Sequence, residues 1–389
     1  MRIAILSYSG NGKPTQSIVE AGEARGHEMI VVDPDELVMY ISDKTGHDRL
    51  FGKKNRTDLE RIFANSIDAI IPRIGANITY TSTIIDHLNL NLGIFSTQSG
   101  EGIRIASNKL LTLQKCSQQN IPMLKTVYAN DPTMINHYLD LVGGIPVIVK
   151  TTSGSQGEGV LLLDSEISAK STIQALFKTK TNILIQEFLD AKGLDFRGIV
   201  VGEKVVASYT RQAKKDDFRA NIHKGATAVS VQLTQEEQDF CVKCAKTLNL
   251  HTAGIDFMRD ANGKFKLIEV NCNYGFVIQQ VTGVNIGDEL IKFIEKEHEN
   301  FKEHKIVYPT KKDIIIRDFL TETQELTRAL EKKNNELDII MKNKNLLANF
   351  DKSKGKEISY IDNEGNQKSK LIEKASDLYS VMIDMFELK

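Results

Sequence analysis

Residues 253–273 read AGIDFMRDANGKFKLIEVNCN, two largely apolar runs separated by Asn262-Gly263. Each run alternates apolar and polar positions, the period of a half-buried strand. Asn-Gly is the preferred centre of a two-residue type I′ hairpin turn. A turn centred there pairs residues whose numbers add to the same total as 262 and 263, so Asp256 is expected opposite Glu269 and Met258 opposite Leu267. Asn271, two residues beyond Glu269, shares its face because side chains alternate along a strand. Ile255, Phe257, Ile268 and Val270 make up the other face, the one expected to pack against a core. Like charges directly opposite in a sheet destabilise it unless something compensates. A hard divalent cation does so, and Mg²⁺ typically takes one or two carboxylates together with substrate phosphates. Asp256, Glu269 and Asn271 are therefore a candidate metal site; the alternative is two acids splayed into solvent.

The surrounding sequence continues the hairpin pattern. DFRGIVV and VVASYTRQ are expected to pair around Gly202-Glu203, and NILIQEFL reads as a further strand, so residues 183–300 form an antiparallel α+β unit. Residues 96–182 mix strands and helices, with one helix from Ile105 through Lys109 toward Gln119. Inside that unit KTTSGSQGEGVLLL, 150–163, joins the strands IPVIVK and GVLLLD with little side-chain bulk. It lacks the Lys-Ser/Thr and following helix of a Walker loop. Its backbone N–H groups and the hydroxyls of Ser153 and Ser155 could close over phosphate oxygens, with Gly154 and Gly157 permitting close approach and Lys150 supplying charge at the foot. A plain hairpin loop is the alternative.

Residues 1–95 alternate strand and helix: RIAILSY, a helix through Ser17 to Arg25 stopped by Gly26, then HEMIVVD and DAIIPRIG, the order of a small open parallel sheet. Gly10-Asn11-Gly12 has Thr15 where a dinucleotide fingerprint needs its third glycine, so a tight turn is expected there. Residues 301–389 differ in character. Residues 313–350 look helical, with Phe319, Leu326, Leu330, Leu337, Ile340 and Leu347 partly following a heptad that Lys333 and Lys344 interrupt. KEISYID and NQKSKLIEKA then flank a turn, and a last amphipathic helix ends at Leu388. This part reads as a mainly helical extension serving oligomerisation, with a homo-oligomer expected, or partner contact.

Composition narrows the classes of function. A net charge of −1, spread along the chain, provides no basic field for nucleic acid. No apolar stretch approaches the ~20 residues of a membrane span, and MRIAILSYSGNGK reads as a strand entering a turn rather than a signal peptide, so the cytoplasm is the expected location. Cys116, Cys241, Cys244 and Cys272 are too few for a disulfide framework. Cys241 and Cys244 form a C-x-x-C, but the capping box Thr234 to Glu237 places them in mid-helix, away from the helix start that activates a redox thiol.

A glycine-rich hairpin loop, a lysine at its foot and a carboxylate/amide set downstream together suit nucleotide phosphates with Mg²⁺. The chain resembles the ATP-grasp superfamily, and more narrowly the RimK-type ligases that add glutamate to a protein or peptide C-terminus. The resemblance rests on IPRIG at 71–75, SNKLLTLQ at 107–114, VGGIPVIVKTTSGSQGEGV at 142–160, IQEFL at 185–189, RQAKKDDFRANIHKGA at 211–226, GIDFMR, EVN, and TGVNIGDELIKFIE at 282–295. It implies an ATP-grasp fold over residues 1–297, with a pre-ATP-grasp domain at 1–95 and ATP-grasp subdomains at 96–182 and 183–300. It implies ATP and Mg²⁺ as cofactors, with two ions and with Mn²⁺ able to substitute. By the same resemblance Lys109 and Lys150 contact ATP phosphates, Gln186, Glu187, Phe188 and Leu189 form the adenine hinge, and Asp195 contacts the ribose. Arg211 lies near the transferred phosphate, Arg219 and Asn221 face the acceptor, Arg73 borders the substrate site, and Asp256, Glu269 and Asn271 hold the metal. For the arginines, surface ion pairs are the alternative.

The implied activity is a carboxylate–amine ligase working through an acylphosphate, with a small amino acid and a peptide or small carboxylate as substrates. After the metal residues the family usually reads close to N-A-S-P-G-L, whereas this chain has Asn271-Cys-Asn-Tyr-Gly-Phe276, so the identity of the added amino acid stays open. Two other readings of the sequence are a maturase that crosslinks a ribosomal peptide held by the extension, and a non-catalytic nucleotide-binding scaffold.

Overall fold

The computed structural model describes all residues except 42–48, 54–58, 63–66, 153–158, 215–225, 303–356, 362–365 and 372–389. The chain divides into two compact units, Met1–Ile306 and Val307–Lys389.

The first unit opens with a four-stranded parallel sheet. Arg2–Ser7 lies at its centre, flanked by Glu28–Val32 and Ala69–Arg73, with Phe95–Ser96 beyond the latter. Ile3, Ile5, Ala69 and Ile71 are buried, as expected for apolar runs covered by helices on both faces. Gly12 closes a tight turn onto the Ser9 carbonyl at 2.9 Å and caps the helix Lys13–Ala24, whose first turn carries Pro14. The Gly10–Gly12 segment is therefore the tight turn expected of it. A small antiparallel sheet, Leu37–Tyr40 with Arg49–Lys53 and Leu59–Ile62, branches from this unit and had no counterpart in the sequence reading.

A second, antiparallel sheet has the order Val160–Leu163, Val147–Thr151, Ile183–Glu187, Thr126–Tyr128. It takes in Ile183–Glu187, the strand that the sequence reading assigns to the following unit. The helix expected from Ile105 to Gln119 is two helices, Gly100–Ala106 and Lys109–Gln118. Asn108 breaks it by adopting an extended backbone and accepting the amides of Leu110 and Leu111, an N-cap that makes Lys109 the first helical residue.

The third sheet is antiparallel in the order Thr227–Ser230, Lys204–Gln212, Leu194–Val201, Thr252–Arg259, Phe265–Asn271. Its last hairpin corrects the expected turn. Asp260 N donates to Lys264 O at 2.7 Å and Gly263, at φ +78°, donates to Asp260 O at 2.9 Å, so the loop holds three residues, with the left-handed glycine last. Met258 therefore faces Lys266, not Leu267. A bulge at Ile268 then restores the expected pairing, and Asp256 stands opposite Glu269. The bulge also puts Leu267, rather than Ile268, in the core opposite Phe257.

One face of this sheet is sealed by aromatic packing. Phe196 stacks on Phe257 at 5.3 Å between ring centroids, and Phe240, from the helix Gln235–Thr247, meets Phe257 at 5.7 Å and Phe265 at 4.7 Å. Thr234 and Glu237 cap that helix reciprocally, and burial of Cys241 and Cys244 within it raises both thiol pKa values, leaving them inert. The other face continues at one end into the core of the parallel sheet, where Ile199, Tyr209, Tyr274 and Phe276 pack with Ile3, Ile5 and Ile71. Gln98 ties the two sheets together, its Nε2 donating to the carbonyls of Thr252 at 2.8 Å and Cys272 at 2.6 Å.

The helix Ile286–Lys302 packs against Lys13–Ala24, and Arg25 reaches Asp288 and Glu295. Among the described residues no helix is long and apolar enough to cross a membrane. In the second unit the expected hairpin is present as Glu357–Ile361 paired with Gln367–Leu371. The helices expected over 313–350 and up to Leu388 lie outside the described residues.

Gly287 has no room for a side chain: a Cβ there would stand 2.5 Å from the Ser17 carbonyl oxygen. Gly287→Val is expected to destabilise the protein by about 1–3 kcal/mol through overpacking, read as a lower Tm; an unchanged Tm would contradict this helix contact.

Candidate active site

Four side chains form a row across one face of the third sheet. Tyr209 pairs with Arg197, Arg197 with Asp256, and Asp256 with Glu269, each on the next strand. One step along, Asp195 faces Arg211. Arg197 grips Asp256 with two hydrogen bonds of 2.5 Å, and Arg211 does the same to Asp195 at 2.7 and 2.6 Å while also donating to Asp256 at 3.0 Å. Bidentate guanidinium–carboxylate pairing fixes geometry as well as charge. Burial alone would raise the Asp256 pKa, but the two arginines outweigh it and hold the carboxyl below its ordinary value. They keep Asp256 ionised. Burial pushes Asp195 upward, opposed by Arg211, and burial also raises Glu269, with the neighbouring Asp256 adding to it.

The second sheet contributes the cations. Lys150, next to last in Val147–Thr151, has a pKa depressed to about 8 by burial and by Lys109, with Glu269 opposing. Lys109 is brought close by its backbone N–H, which donates to Thr152 O at 3.2 Å. Four cations (Lys109, Lys150, Arg197, Arg211) thus accompany three carboxylates (Asp195, Asp256, Glu269), an excess of one positive charge suited to a polyanion.

On the same strand system Gln186 pairs with Ile148, two residues from Lys150, so both side chains share a face of the second sheet. Gln186 Nε2 donates to Thr126 Oγ1 at 2.9 Å while its buried Oε1 has no partner. Glu187 accepts from Lys125 N at 2.9 Å and from Lys266 Nζ at 2.6 Å, fastening the second sheet to the third. Phe188 and Leu189 follow the strand end and are half-buried. Arg73, at the end of Ala69–Arg73, donates Nη2 to Tyr274 O at 2.8 Å.

The structure thus brings Lys109, Lys150, Asp195, Arg211, Asp256, Glu269 and Asn271 together, and sets Gln186 and Glu187 on the adjoining strand. Asp195 is occupied by Arg211, and Glu187 by two lysine residues. Ser153, Gly154, Ser155, Gly157, Arg219 and Asn221 lie outside the described residues. The sequence reading missed Arg197. Alternation along DFRGIVV puts it on the face of Asp195, but only the strand order places it against Asp256.

The donor set suits a hard divalent ion. No described residue donates a hydrogen bond to Glu269, and Asn271 donates Nδ2 to Asp256 at 3.3 Å, which leaves its amide oxygen as an acceptor. Asp256 lies on the same face, ionised by its arginines, its Oδ1 accepting from Arg197 and its Oδ2 from Arg197, Arg211 and Asn271, so Glu269 and the Asn271 oxygen are the open acceptors of the set. Among the described residues no group of three or more His, Cys, Asp or Glu could hold a metal ion.

Residues 1–103 match the RimK PreATP-grasp domain and residues 106–294 the RimK-like ATP-grasp domain. The chain is similar to a probable alpha-L-glutamate ligase of Hydrogenovibrio crunogenus, 39% identical over 306 residues that cover 78% of this chain and 97% of that protein. A probable alpha-L-glutamate ligase 2 of Shewanella sp. strain W3-18-1 is 37% identical over 299 residues, 76% of this chain and 96% of that one. Among solved structures, the ATP-grasp ligase PsnB complexed with a phosphomimetic variant of its minimal precursor, Mg and ADP shares the fold with a TM-score of 0.59 at 20% identity, covering 76% of this chain and 98% of that one. A RiPP-associated ATP-grasp ligase of Chryseobacterium gregarium, in complex with ADP and a leader and core peptide, does so at 0.58 and 14%, covering 76% and 97%.

The depressed Lys150 pKa has a measurable consequence. Bound phosphates favour the protonated amine, so affinity for Mg·ATP should fall as pH rises through about 8, by up to about tenfold one unit higher. In the free protein the sign is reversed: the folded state binds fewer protons at this site than the unfolded chain, so stability rises with pH from about 8 toward the ordinary lysine range. Calorimetric titration with Mg·ATP from pH 7 to 9 checks this, and Lys150→Met should remove the slope. An equal slope in that variant would assign the titration elsewhere.

Proposed function

The chain belongs to the RimK-like ATP-grasp family of ATP-dependent ligases, and from that membership we propose that it joins a carboxylate to an amine through an acylphosphate, adding a glutamate-like amino acid to a peptide, a protein C-terminus or a small carboxylic acid. The observation that carries the proposal is the convergence of Lys150 with the row Arg197, Asp256 and Glu269, cations beside oxygen ligands on one face. Such a face neutralises phosphates without offering a side-chain nucleophile, and phosphoryl transfer needs little else from a protein.

In this reading the acceptor's carboxylate oxygen attacks the γ-phosphorus of ATP, the bond to the ADP oxygen breaks, and an acylphosphate forms. The nitrogen of the amino acid then attacks the acyl carbon, the carbon–oxygen bond to phosphate breaks, and the amine loses a proton as the amide forms. Mg²⁺, held by Asp256, Glu269 and the Asn271 amide oxygen, would supply charge neutralisation on the phosphates. Arg211, preset by Asp195 and Asp256, would neutralise charge on the transferred phosphate. Lys150 and Lys109 bind the phosphates, and Gln186 to Leu189 hold the base. The glycine-rich segment after Lys150 would keep water from the acylphosphate.

A second reading is favoured by the separate unit Val307–Lys389, which lies beyond the family match. A peptide docked there would be tailored within itself rather than extended. The product mass separates the two readings.

The purified protein with Mg·ATP, the twenty amino acids and short peptides is expected to release ADP and phosphate together with a product equal to two substrates less one water. A peptide that loses water without gaining an amino acid would select the second reading. Glu269→Gln should cut turnover by about 10²- to 10³-fold while leaving the Tm near that of the unaltered protein. Undiminished turnover in that variant would overturn the metal assignment.

A further inference from the structure

Arg73 is a half-buried cation that has no carboxylate partner among the described residues. Its Nη2 donates to the Tyr274 carbonyl at 2.8 Å, its guanidinium carbon stands 5.6 Å from the Tyr274 ring centroid and 5.1 Å from that of Phe276, and its buried Nε has no partner. No carboxylate of a described residue pairs with it; the groups that favour its charge are Tyr274 and Cys272, and burial works against it. Contacts with two ring faces and one carbonyl offset only part of the cost of burying a guanidinium. A structural arginine in such a position normally has a carboxylate, as Arg197 and Arg211 do in the same unit.

Its place in the fold points to a ligand. Arg73 is the last residue of its strand and pairs with Ser7, the last of the neighbouring strand. From Ser7 the chain turns to Glu28–Val32 on one side of the sheet, and from Arg73 it turns to Phe95–Ser96 on the other. The crevice at the carboxyl ends of two such strands is where open parallel sheets bind ligands. The wall facing Arg73 is the segment that follows the metal residues. Tyr274, three residues past Asn271, is anchored by a 2.5 Å hydrogen bond to Thr252, and its Cβ leaves only 3.2 Å to the position a Cβ would take at Gly254, two residues before Asp256. Gly75 admits Asn273 to 2.9 Å of its own absent Cβ. The guanidinium therefore lies against the segment that follows Asn271, in which this chain carries Tyr274 and Phe276.

We propose that Arg73 binds a non-reacting carboxylate of a substrate, with its free Nε edge forming the hydrogen bonds and Tyr274 and Phe276 walling the pocket. This rests on the ligase reading above and names the chemistry the site selects. An amino acid brings its α-carboxylate, and a peptide acceptor brings a side-chain or terminal carboxylate that is not activated; both are the same group to Arg73.

The test is calorimetric binding to the full-length protein saturated with Mg·ADP, which needs no turnover and so stands apart from failure of the ligase reading. The probes are L-glutamate, its α-amide, a peptide ending in Glu-Glu, and that peptide with its penultimate side chain amidated. The unaltered protein should bind L-glutamate over its α-amide if the carboxylate comes from the amino acid, or the free-acid peptide over the amidated one if it comes from the acceptor. Arg73→Met should weaken the preferred probe by about 10- to 100-fold and abolish the preference, with Mg·ADP affinity unchanged and Arg73→Lys recovering part of the loss. Tyr274→Phe, which keeps the ring, should leave the preference intact. Equal binding of acid and amide by the unaltered protein, or no binding of either acid, would overturn the proposal. So would an Arg73→Met variant whose affinities for nucleotide and probes fall together with its Tm, since that is the behaviour of a structural staple.

Discussion

The Asp256 carboxylate held between Arg197 and Arg211 is the constraint on which the site depends. A carboxylate placed opposite Glu269 in the middle of a sheet is an unfavourable neighbour, and in a buried position either acid could escape by taking up a proton. Two guanidinium groups remove that escape for Asp256, whereas Glu269, raised by burial and by Asp256, is opposed only at a distance by Lys109, Arg197 and Lys150. Removing one guanidinium would leave a buried charge half-compensated, which costs more than the pair contributes when intact. Arg211 is held by the same arrangement: Asp195 grips it from its own hairpin, so it is oriented before any substrate arrives.

Packing explains why these charges can be gathered here. The opposite face of the sheet is closed by Phe196, Phe257, Phe240 and Leu267, and a bulge at Ile268 lets that apolar row and the charged row coexist on a hairpin whose turn alone would have offset them. The second sheet reaches the charged face through Lys150, and Glu187 fastens the two sheets by accepting from both Lys125 and Lys266. The parallel sheet closes the remaining side through Gln98 and the shared apolar core, and this is what carries Arg73 to the segment after Asn271. Each of the three sheets thus supplies one class of group: Asp256 and Glu269 with Asn271 from the third, Lys150 from the second, and the Arg73 guanidinium from the parallel sheet.

Much of this was legible in the sequence, though partly for the wrong reason. Asp256 does face Glu269, but the predicted two-residue turn is a three-residue loop and the bulge at Ile268 cancels the offset; neither is visible in an Asn-Gly pair. The apolar runs gave the parallel sheet and the hairpins because burial on one or both faces leaves a period in the sequence. Strand order leaves no such trace. For that reason the sequence alone groups Ile183–Glu187 with the wrong sheet and does not set Arg197, two residues from Asp195, against Asp256. The helix break at Ser107-Asn108 was present as an N-cap residue inside an otherwise helical run, a local signal outweighed by the surrounding pattern.

Transfer of oxygen-18 tests most directly whether a substrate carboxylate is activated as an acylphosphate on this face. A peptide acceptor with both oxygens of the reacting carboxylate labelled, incubated with Mg·ATP and an amino acid until the joined product is seen, should yield phosphate carrying one labelled oxygen and an amide whose carbonyl retains the other. Joined product accompanied by unlabelled phosphate would contradict that activation, because the carboxylate oxygen would then never have been bonded to phosphorus.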